Sequence, residues 1–296
     1  INPLIKAFNA VGYDAMTLGN HEFNFGTEIF STLGQANFPL LQANVTDTGE
    51  YGLAGIPVKP YIEKVVGPEF INVAILGIGN HRVPSYELPS NIPGLTFTNP
   101  ITTAQGLTPG LAEDNDVVIA LTHIGFTENP ASVEVDNNVD TYLASQVGGV
   151  DAIIGGHSHT NPSTGFGLYK YLPAIVAGPE NAAVLITQAY RYNSYLGEIV
   201  LGLLPKAEGG YEVAARSGRY LPVTMSTPED PVIRQVQQHM DLVPRNAPSR
   251  QDVLAPFLDG NHRRGEASCP ALLQLVPEGA RGAGALLFDL CPVGGL

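Results

Sequence analysis

The sequence predicts an α/β protein in which sheets and helices form a layered sandwich. Helix-like and strand-like segments alternate over the first half of the chain, and strand-like segments dominate after residue 173. Two apolar runs, at 117–121 and 152–154, are typical of strands that are buried on both faces. Such sheets must be covered by helices, because their apolar faces have to be kept from water.

The individual elements follow from hydrophobic periodicity and from the turn residues between them. We expect helices over residues 3–11, 26–35, 101–113 and 139–147, and strands over residues 13–18, 38–45, 61–66, 71–77, 116–122, 151–154, 174–177, 183–190, 196–203 and 211–223. The strands 61–66 and 71–77 are expected to pair. A last helix is expected after Thr227-Pro228-Glu229-Asp230, where threonine can cap it, proline suits its first position and the acids favour its dipole.

The amino-acid composition predicts how the chain is divided into domains and limits the partners that it can bind. We expect a globular domain over residues 1–225, a connecting helix over 226–240, and a poorly specified tail over 241–296 that contains both cysteines. The apolar content of 44% excludes a disordered chain, and no run approaches the ~18 apolar residues of a membrane span. The net charge of −13 argues against binding of nucleic acid. An anionic substrate would therefore need a metal ion or a positioned arginine.

Polar clusters follow three of the predicted strands. They are Gly19-Asn20-His21-Glu22, Thr122-His123-Ile124-Gly125 and Gly155-Gly156-His157-Ser158-His159. Ligands of α/β sheets gather beyond the carboxyl ends of strands, so we expect these clusters to converge. Their imidazoles and amide favour zinc, manganese or iron over calcium. Glu22 is the nearest carboxylate, but its place on a tight turn need not direct it to the same point.

Four segments carry a resemblance to a known family. Residues 12–26 (GYDAMTLGNHEFNFG), 41–45 (LQANV), 120–125 (ALTHIG) and 154–160 (IGGHSHT) resemble the 5'-nucleotidase / 2',3'-cyclic-nucleotide phosphodiesterase branch of the calcineurin-like metallophosphoesterases, and residues 94–100 (GLTFTNP) are similar as well. The resemblance covers about residues 1–225. It implies an αββα metallophosphoesterase sandwich, which we expect to lack its first strand and helix in this chain.

The resemblance also implies roles for individual residues. Asn20, His123 and His157 match ligands of one metal ion, and His159 matches a ligand position of a second ion. His21 matches the histidine that contacts the phosphate. Asn24 stands where the family often has the aspartate that orients this histidine, and an asparagine there resembles the cyclic-phosphodiesterase subgroup.

The remaining ligands of the family are an Asp-x-His pair and a bridging Asp that precede the Asn-His motif, and the first 19 residues contain neither. We therefore expect two divalent ions, zinc, manganese or similar, in the full-length parent. For residues 1–296 alone we expect about one ion and impaired catalysis.

The expected function is metal-dependent hydrolysis of a small-molecule phosphate ester, with a nucleotide as the expected substrate, in the periplasm, outside the cell or at its surface. A metal-poor structural or binding module and a thiosulfate-ester or sugar-nucleotide hydrolase of the same family remain alternatives.

His81, in a second Gly-Asn-His at 79–81, is either a residue of the site rim or an ordinary loop histidine. Tyr195 could stack on a nucleotide base or pack inside the protein.

Overall fold

The structure is a computed structural model that describes residues 2–128, 132–134, 136, 138–160, 173–192, 194–235, 272–273 and 285–287. Its α-helices are α1 (Pro3–Val11), α2 (Phe30–Leu33), α3 (Pro100–Asp114) and α4 (Asp140–Gln146). Its strands are β1 (Ala15–Thr17), β2 (Leu40–Leu41), β3 (Val45–Asp47), β4 (Val58–Lys59), β5 (Tyr61–Val66), β6 (Ile71–Ile78), β7 (Leu95–Phe97), β8 (Val117–Thr122), β9 (Ala152–Ile154), β10 (Ala174–Ala177), β11 (Ala183–Thr187), β12 (Tyr195–Pro205), β13 (Tyr211–Pro222), β14 (Leu272–Leu273) and β15 (Ala285–Leu287).

A six-stranded sheet with the order β10-β11-β9-β8-β6-β5 lies at the centre of the molecule. The four inner strands are parallel to one another, and the two edge strands are antiparallel to their neighbours. Side chains alternate between its faces, so that Val73 and Ile75 enter one core while Ala74 and Leu76 enter another. As predicted, β5 and β6 pair with each other.

Three cores separate four layers. One face of the central sheet packs against α3 and α4, through residues such as Ile101 and Leu143. The other face packs against β1, β2 and β12, through residues such as Ala15 and Ile199. The outer face of β1 and β2 packs against α1 in a third core that contains Phe8. The layers therefore run α, β, β, α, which confirms the predicted sandwich.

Side-chain caps mark where two of the helices begin. The Asn2 Oδ1 atom accepts hydrogen bonds from the backbone N–H of Leu4 at 2.9 Å and of Ile5 at 3.4 Å, before α1. The Asn99 Oδ1 atom does the same before α3, with a distance of 2.9 Å to the N–H of Ile101. Gly12 caps the carboxyl end of α1, and its φ of +79° is a conformation that glycine adopts without a steric cost.

Two predicted elements are each divided into two shorter ones. The helix expected over 26–35 is a 3-10 helix, Gly26–Ile29, followed by α2. The strand expected over 38–45 is split, because Val45 begins β3, which pairs with β7 and not with the neighbours of β2. The cause of the split is Asn44, whose amide Nδ2 donates to the Gly79 carbonyl at 2.9 Å and whose Oδ1 accepts from the Gly79 N–H at 2.8 Å.

The last predicted helix begins later than expected. Residues 231–235 are helical, and Asp230 is the cap, since its Oδ1 accepts from the N–H of Val232 at 2.8 Å and of Ile233 at 3.1 Å. Thr227 is not the cap; its hydroxyl accepts from the Thr224 N–H at 2.9 Å. Residues 236–240 of the expected connecting helix lie outside the described residues.

The tail contributes five described residues. We expected a poorly specified tail, and within it β14 pairs antiparallel with β1 and β15 pairs antiparallel with β12. The rest of residues 241–296 lies outside the described residues. In the part of the chain that the structure describes, no helix has the length and apolar character that a membrane span requires.

Candidate active site

The carboxyl ends of four parallel strands meet at one edge of the central sheet. Leu121 of β8 is aligned with Gly77 of β6 and with Ile154 of β9, and Ile154 is aligned with Thr187 of β11. The outer layer ends at the same place, because the N–H of Ala43, just after β2, donates to the Gly77 carbonyl at 2.8 Å. The predicted clusters follow these strand ends, so the fold brings them to one edge.

Asn20, His123 and His157 converge there on a single atom. The Asn20 Oδ1 atom lies 3.1 Å from His123 Nε2 and 3.0 Å from His157 Nδ1. Asn20 is 7% exposed and His123 is fully buried. An amide oxygen only accepts hydrogen bonds, so both ring nitrogens donate to it. Two imidazoles and an amide oxygen at one point are donors that suit a zinc- or manganese-like ion once these nitrogens lose their protons.

The electrostatics of this point also suit a cation. Burial, together with the charges of His159, His21 and His81, lowers the pKa of His157 to about 4. His157 is therefore neutral at pH 7, and a neutral imidazole is the form that binds a metal.

The loop that carries His157 and His159 has an unusual backbone. His157 has a φ of +80° and His159 a φ of +50°, in the left-handed region that side chains with a Cβ disfavour. Gln188, which is buried just after β11, holds both sides of this loop. Its Oε1 accepts from the Thr160 N–H at 2.6 Å, and its Nε2 donates to the Gly156 carbonyl at 2.9 Å. The sequence reasoning did not identify Gln188.

A buried acid lies beneath the strand ends. Asp140, the first residue of α4, is fully buried and accepts a hydrogen bond from the Thr122 hydroxyl at 2.7 Å. Burial raises its pKa to about 8. A Cβ on Gly155 would overlap its Oδ2 atom, so the glycine provides the room for this carboxyl. Sequence reasoning missed Asp140 as well, because nothing near it in the chain indicates the contact.

His21 is held by its own short helix. Residues Asn20–Phe23 form a 3-10 helix, and the Asn24 N–H donates to the His21 carbonyl at 3.2 Å. The turn places the Asn24 Oδ1 atom against the His21 Nδ1 atom, where they form a hydrogen bond. The Nδ2 atom of Asn24 in turn donates to Glu87 Oε2. The structure thus joins His21 to Asn24 and adds Glu87, which the sequence did not indicate.

The other candidates take different positions. The Glu22 carboxylate accepts from the Gly19 N–H at 2.6 Å and so caps the 3-10 helix, and burial raises its pKa. His81 bonds the Val133 carbonyl through Nε2, and burial lowers its pKa. The Tyr195 ring packs against Tyr220 with 6.2 Å between the ring centroids, which is the packing role that we considered.

Among the described residues, no three His, Cys, Asp or Glu side chains are grouped closely enough to hold an ion.

Comparison with known proteins identifies the relatives of this chain. The profile of the family described as calcineurin-like phosphoesterase matches residues 1–161. The chain is 35% identical over 236 residues to the 5'-nucleotidase of Bos taurus. The aligned segment covers 76% of this chain and 38% of the relative. It is 34% identical over 225 residues to the trifunctional nucleotide phosphoesterase protein YfkN of Bacillus subtilis, covering 73% of this chain and 15% of the relative.

A solved structure has the same fold. The 5'-nucleotidase precursor of Thermus thermophilus superposes with a TM-score of 0.66 and 28% identity, over 86% of this chain and 46% of that one. The chain therefore spans less than half the length of these relatives. A family profile that matches more than half of the chain, with the layered fold and the strand-end site, shows that the chain belongs to the calcineurin-like phosphoesterases.

Proposed function

We propose that this chain is the catalytic part of a metal-dependent phosphoesterase that hydrolyses nucleotides. The observation that carries the proposal is the convergence of Asn20, His123 and His157 at the strand ends, with His21 directly after Asn20 in the chain. The names of the 5'-nucleotidases and of the nucleotide phosphoesterase among the relatives support a nucleotide as substrate. On the family resemblance we also propose that the protein acts outside the cytoplasm.

Asn20, His123 and His157 would hold one divalent ion, and His159 would belong to a second. When bound, such ions supply a nucleophilic hydroxide and neutralise phosphoryl oxygens. The chain itself supplies orientation and a proton. Because the Asn24 oxygen accepts from His21 Nδ1, the Nε2 atom of His21 is the nitrogen that meets a phosphoryl oxygen or the leaving oxygen. When the ring also holds a proton on Nε2, it can donate a hydrogen bond or that proton to the departing group.

We further propose that residues 1–296 alone hold about one ion and hydrolyse esters weakly. Two cations at a distance of about 3.5–4 Å repel each other, and a bridging carboxylate normally offsets this repulsion. The convergent donors Asn20, His123 and His157 are all uncharged, so they suit one ion better than a close pair.

Calorimetric titration with Mn²⁺ and Zn²⁺, together with hydrolysis of bis-p-nitrophenyl phosphate, AMP and 2',3'-cyclic AMP, tests the proposal. We expect about one ion per chain and slow, metal-dependent release of phosphate or nitrophenol. A chain that binds no ion and hydrolyses none of the three esters would instead be a structural or binding module. Two tight ions with fast turnover would refute the single-ion proposal and would mean that further carboxylates complete the site.

A further inference from the structure

We propose that Glu87 is a positioning residue for His21 and that it acts through the side-chain amide of Asn24. The inference rests on the proposed function, in which His21 meets the phosphate. It adds a residue that lies 63 positions from Asn24 in the sequence, in the loop between β6 and β7. The three side chains form a chain of hydrogen bonds from the carboxylate of Glu87, through the amide of Asn24, to the imidazole of His21.

Three donors converge on the two carboxylate oxygens of Glu87. Its Oε2 accepts from Asn24 Nδ2, and its Oε1 accepts from Asn91 Nδ2 and from the Leu88 N–H, both at 2.9 Å. Asn91 Nδ2 also donates to the Asn24 carbonyl at 2.8 Å, so the loop is joined to the backbone of Asn24 as well. Only a side chain with two acceptor atoms and no donor satisfies all three donors, which a carboxylate does and an amide does not.

The carboxylate decides which way the Asn24 amide is turned. The oxygen and the NH₂ group of an amide have nearly the same shape, so packing alone does not distinguish the two orientations. A carboxylate accepts hydrogen bonds only, so the atom of Asn24 that faces Glu87 must be the NH₂ group. The amide oxygen then faces His21, and the proton of the neutral imidazole is held on Nδ1.

This orientation has a consequence at the other ring nitrogen. With its proton on Nδ1, the neutral His21 ring has its lone pair on Nε2, which can take a proton from solvent water. The Nε2–H of the resulting imidazolium can then donate that proton to the leaving oxygen, and the ring returns to the neutral Nδ1–H form. If the amide were turned, its NH₂ group would donate to Nδ1, and the proton would move to Nε2. Glu87 therefore selects the tautomer of His21 without touching its ring.

The first test is Glu87→Gln in the full chain, with the tautomer of His21 read from the imidazole ¹⁵N chemical shifts in metal-free protein at a pH where the ring is neutral. His21→Gln identifies the His21 signals. We expect the wild type to hold the Nδ1–H tautomer and the variant to show a mixture or the Nε2–H form. For ester hydrolysis we expect kcat to fall about 10- to 100-fold, the usual effect of an outer-shell partner, with little change in KM.

The second test separates positioning from simple support of the loop. In Asn24→Asp a carboxylate meets His21 directly, and it also faces the like charge of Glu87. Adding Glu87→Gln to Asn24→Asp should therefore raise kcat or leave it unchanged, whereas Glu87→Gln alone lowers it. A residue that only supports the loop would cost the same factor in both backgrounds, and that result would overturn the proposal.

The control is Glu208→Gln, which changes an exposed glutamate in the turn between β12 and β13 and should leave both readouts unchanged. A His21 tautomer that is the same in the wild type and in Glu87→Gln would also overturn the proposal. If no variant and no wild-type chain hydrolyses any ester, the proposed function fails, and the tautomer measurement still decides the role of Glu87.

Discussion

Two ionisable residues beneath and within the site are uncharged at neutral pH, because burial disfavours the charged form of each. Burial lowers the pKa of His157 to about 4, so its ring has lost a proton. Burial raises the pKa of Asp140 to about 8, so its carboxyl keeps one. These two residues therefore contribute dipoles and lone pairs without a charge of their own. A cation that binds there would supply the positive charge that an anionic ester requires in a protein with a net charge of −13.

The raised pKa of Asp140 predicts how stability depends on pH. The unfolded chain releases this proton near pH 4, and the folded chain keeps it until about pH 8, so ionisation of Asp140 lowers the free energy of unfolding as the pH rises through this interval. The slope is at most about 1.4 kcal/mol per pH unit. Asp140→Asn should remove this slope, and Tm measured from pH 5 to pH 8 checks it.

Asp114→Asn, at the exposed end of α3, is the matched control, and its Tm should depend on pH as the Tm of the wild type does. If Tm changed with pH in the same way in the wild type and in Asp140→Asn, the Asp140 carboxyl would already be ionised in the folded protein.

His21 and His123 should respond differently to substitution. His21→Ala removes the group that meets the phosphate, so we expect the ion to stay bound while kcat falls by about 10²–10⁴. His123→Ala removes a buried nitrogen beside Asn20 and should abolish ion binding. Metal analysis of the purified variants and their rates of ester hydrolysis are the measurements. Equal loss of metal in both variants would contradict the separate roles.

At the scale of the elements, close approach between layers decides which glycines are required. A Cβ on Gly77 of β6 would overlap the side chain and backbone of Leu41 in β2, so these two strands lie in close contact at this point. In Gly106, within α3, a Cβ would meet nothing within 4 Å. The two positions therefore form a matched pair.

We expect Gly77→Ala to destabilise the protein by about 1–3 kcal/mol, because the backbones of β2 and β6 must move apart. Gly106→Ala should stabilise it by about 0.5–1 kcal/mol, since alanine is the better helix former. Chemical unfolding of both variants measures the two free energies. If Gly77→Ala were neutral, the layers would be less closely packed than the geometry requires.

The elements also show what could be predicted from sequence. The clusters at Asn20, His123 and His157 directly follow apolar runs, so the strand-end position of each could be inferred from local pattern. Glu87 and Gln188 could not, because they act on residues 63 and 28 positions away, and only tertiary packing brings them there. The split of the strand expected over 38–45 was missed for the same reason, since the partner of Asn44 is Gly79.

At the scale of the whole molecule, the described tail residues cover two strand edges. Met16 of β1 pairs with Leu272, and Ile199 of β12 pairs with Leu286. Deleting residues 241–296 would expose these backbone groups, and exposed edges pair with other chains. We expect the shortened protein to associate as its concentration rises, which light scattering after gel filtration would detect. A monomeric shortened protein at high concentration would contradict this role for β14 and β15.

The three convergent donors come from two different layers of the fold, and this links ion binding to folding. Asn20 follows a strand of the outer layer, whereas His123 and His157 follow strands of the central sheet. An ion held by all three would fasten the two layers together, and it would have no such site on a chain whose layers have come apart. By thermodynamic linkage, an ion at 100 times its dissociation constant would add about 2.7 kcal/mol to the stability of the docked layers. The linkage is reciprocal. A substitution that separates the outer layer from the central sheet, such as Gly77→Ala, would therefore weaken ion binding without changing a residue that binds the ion.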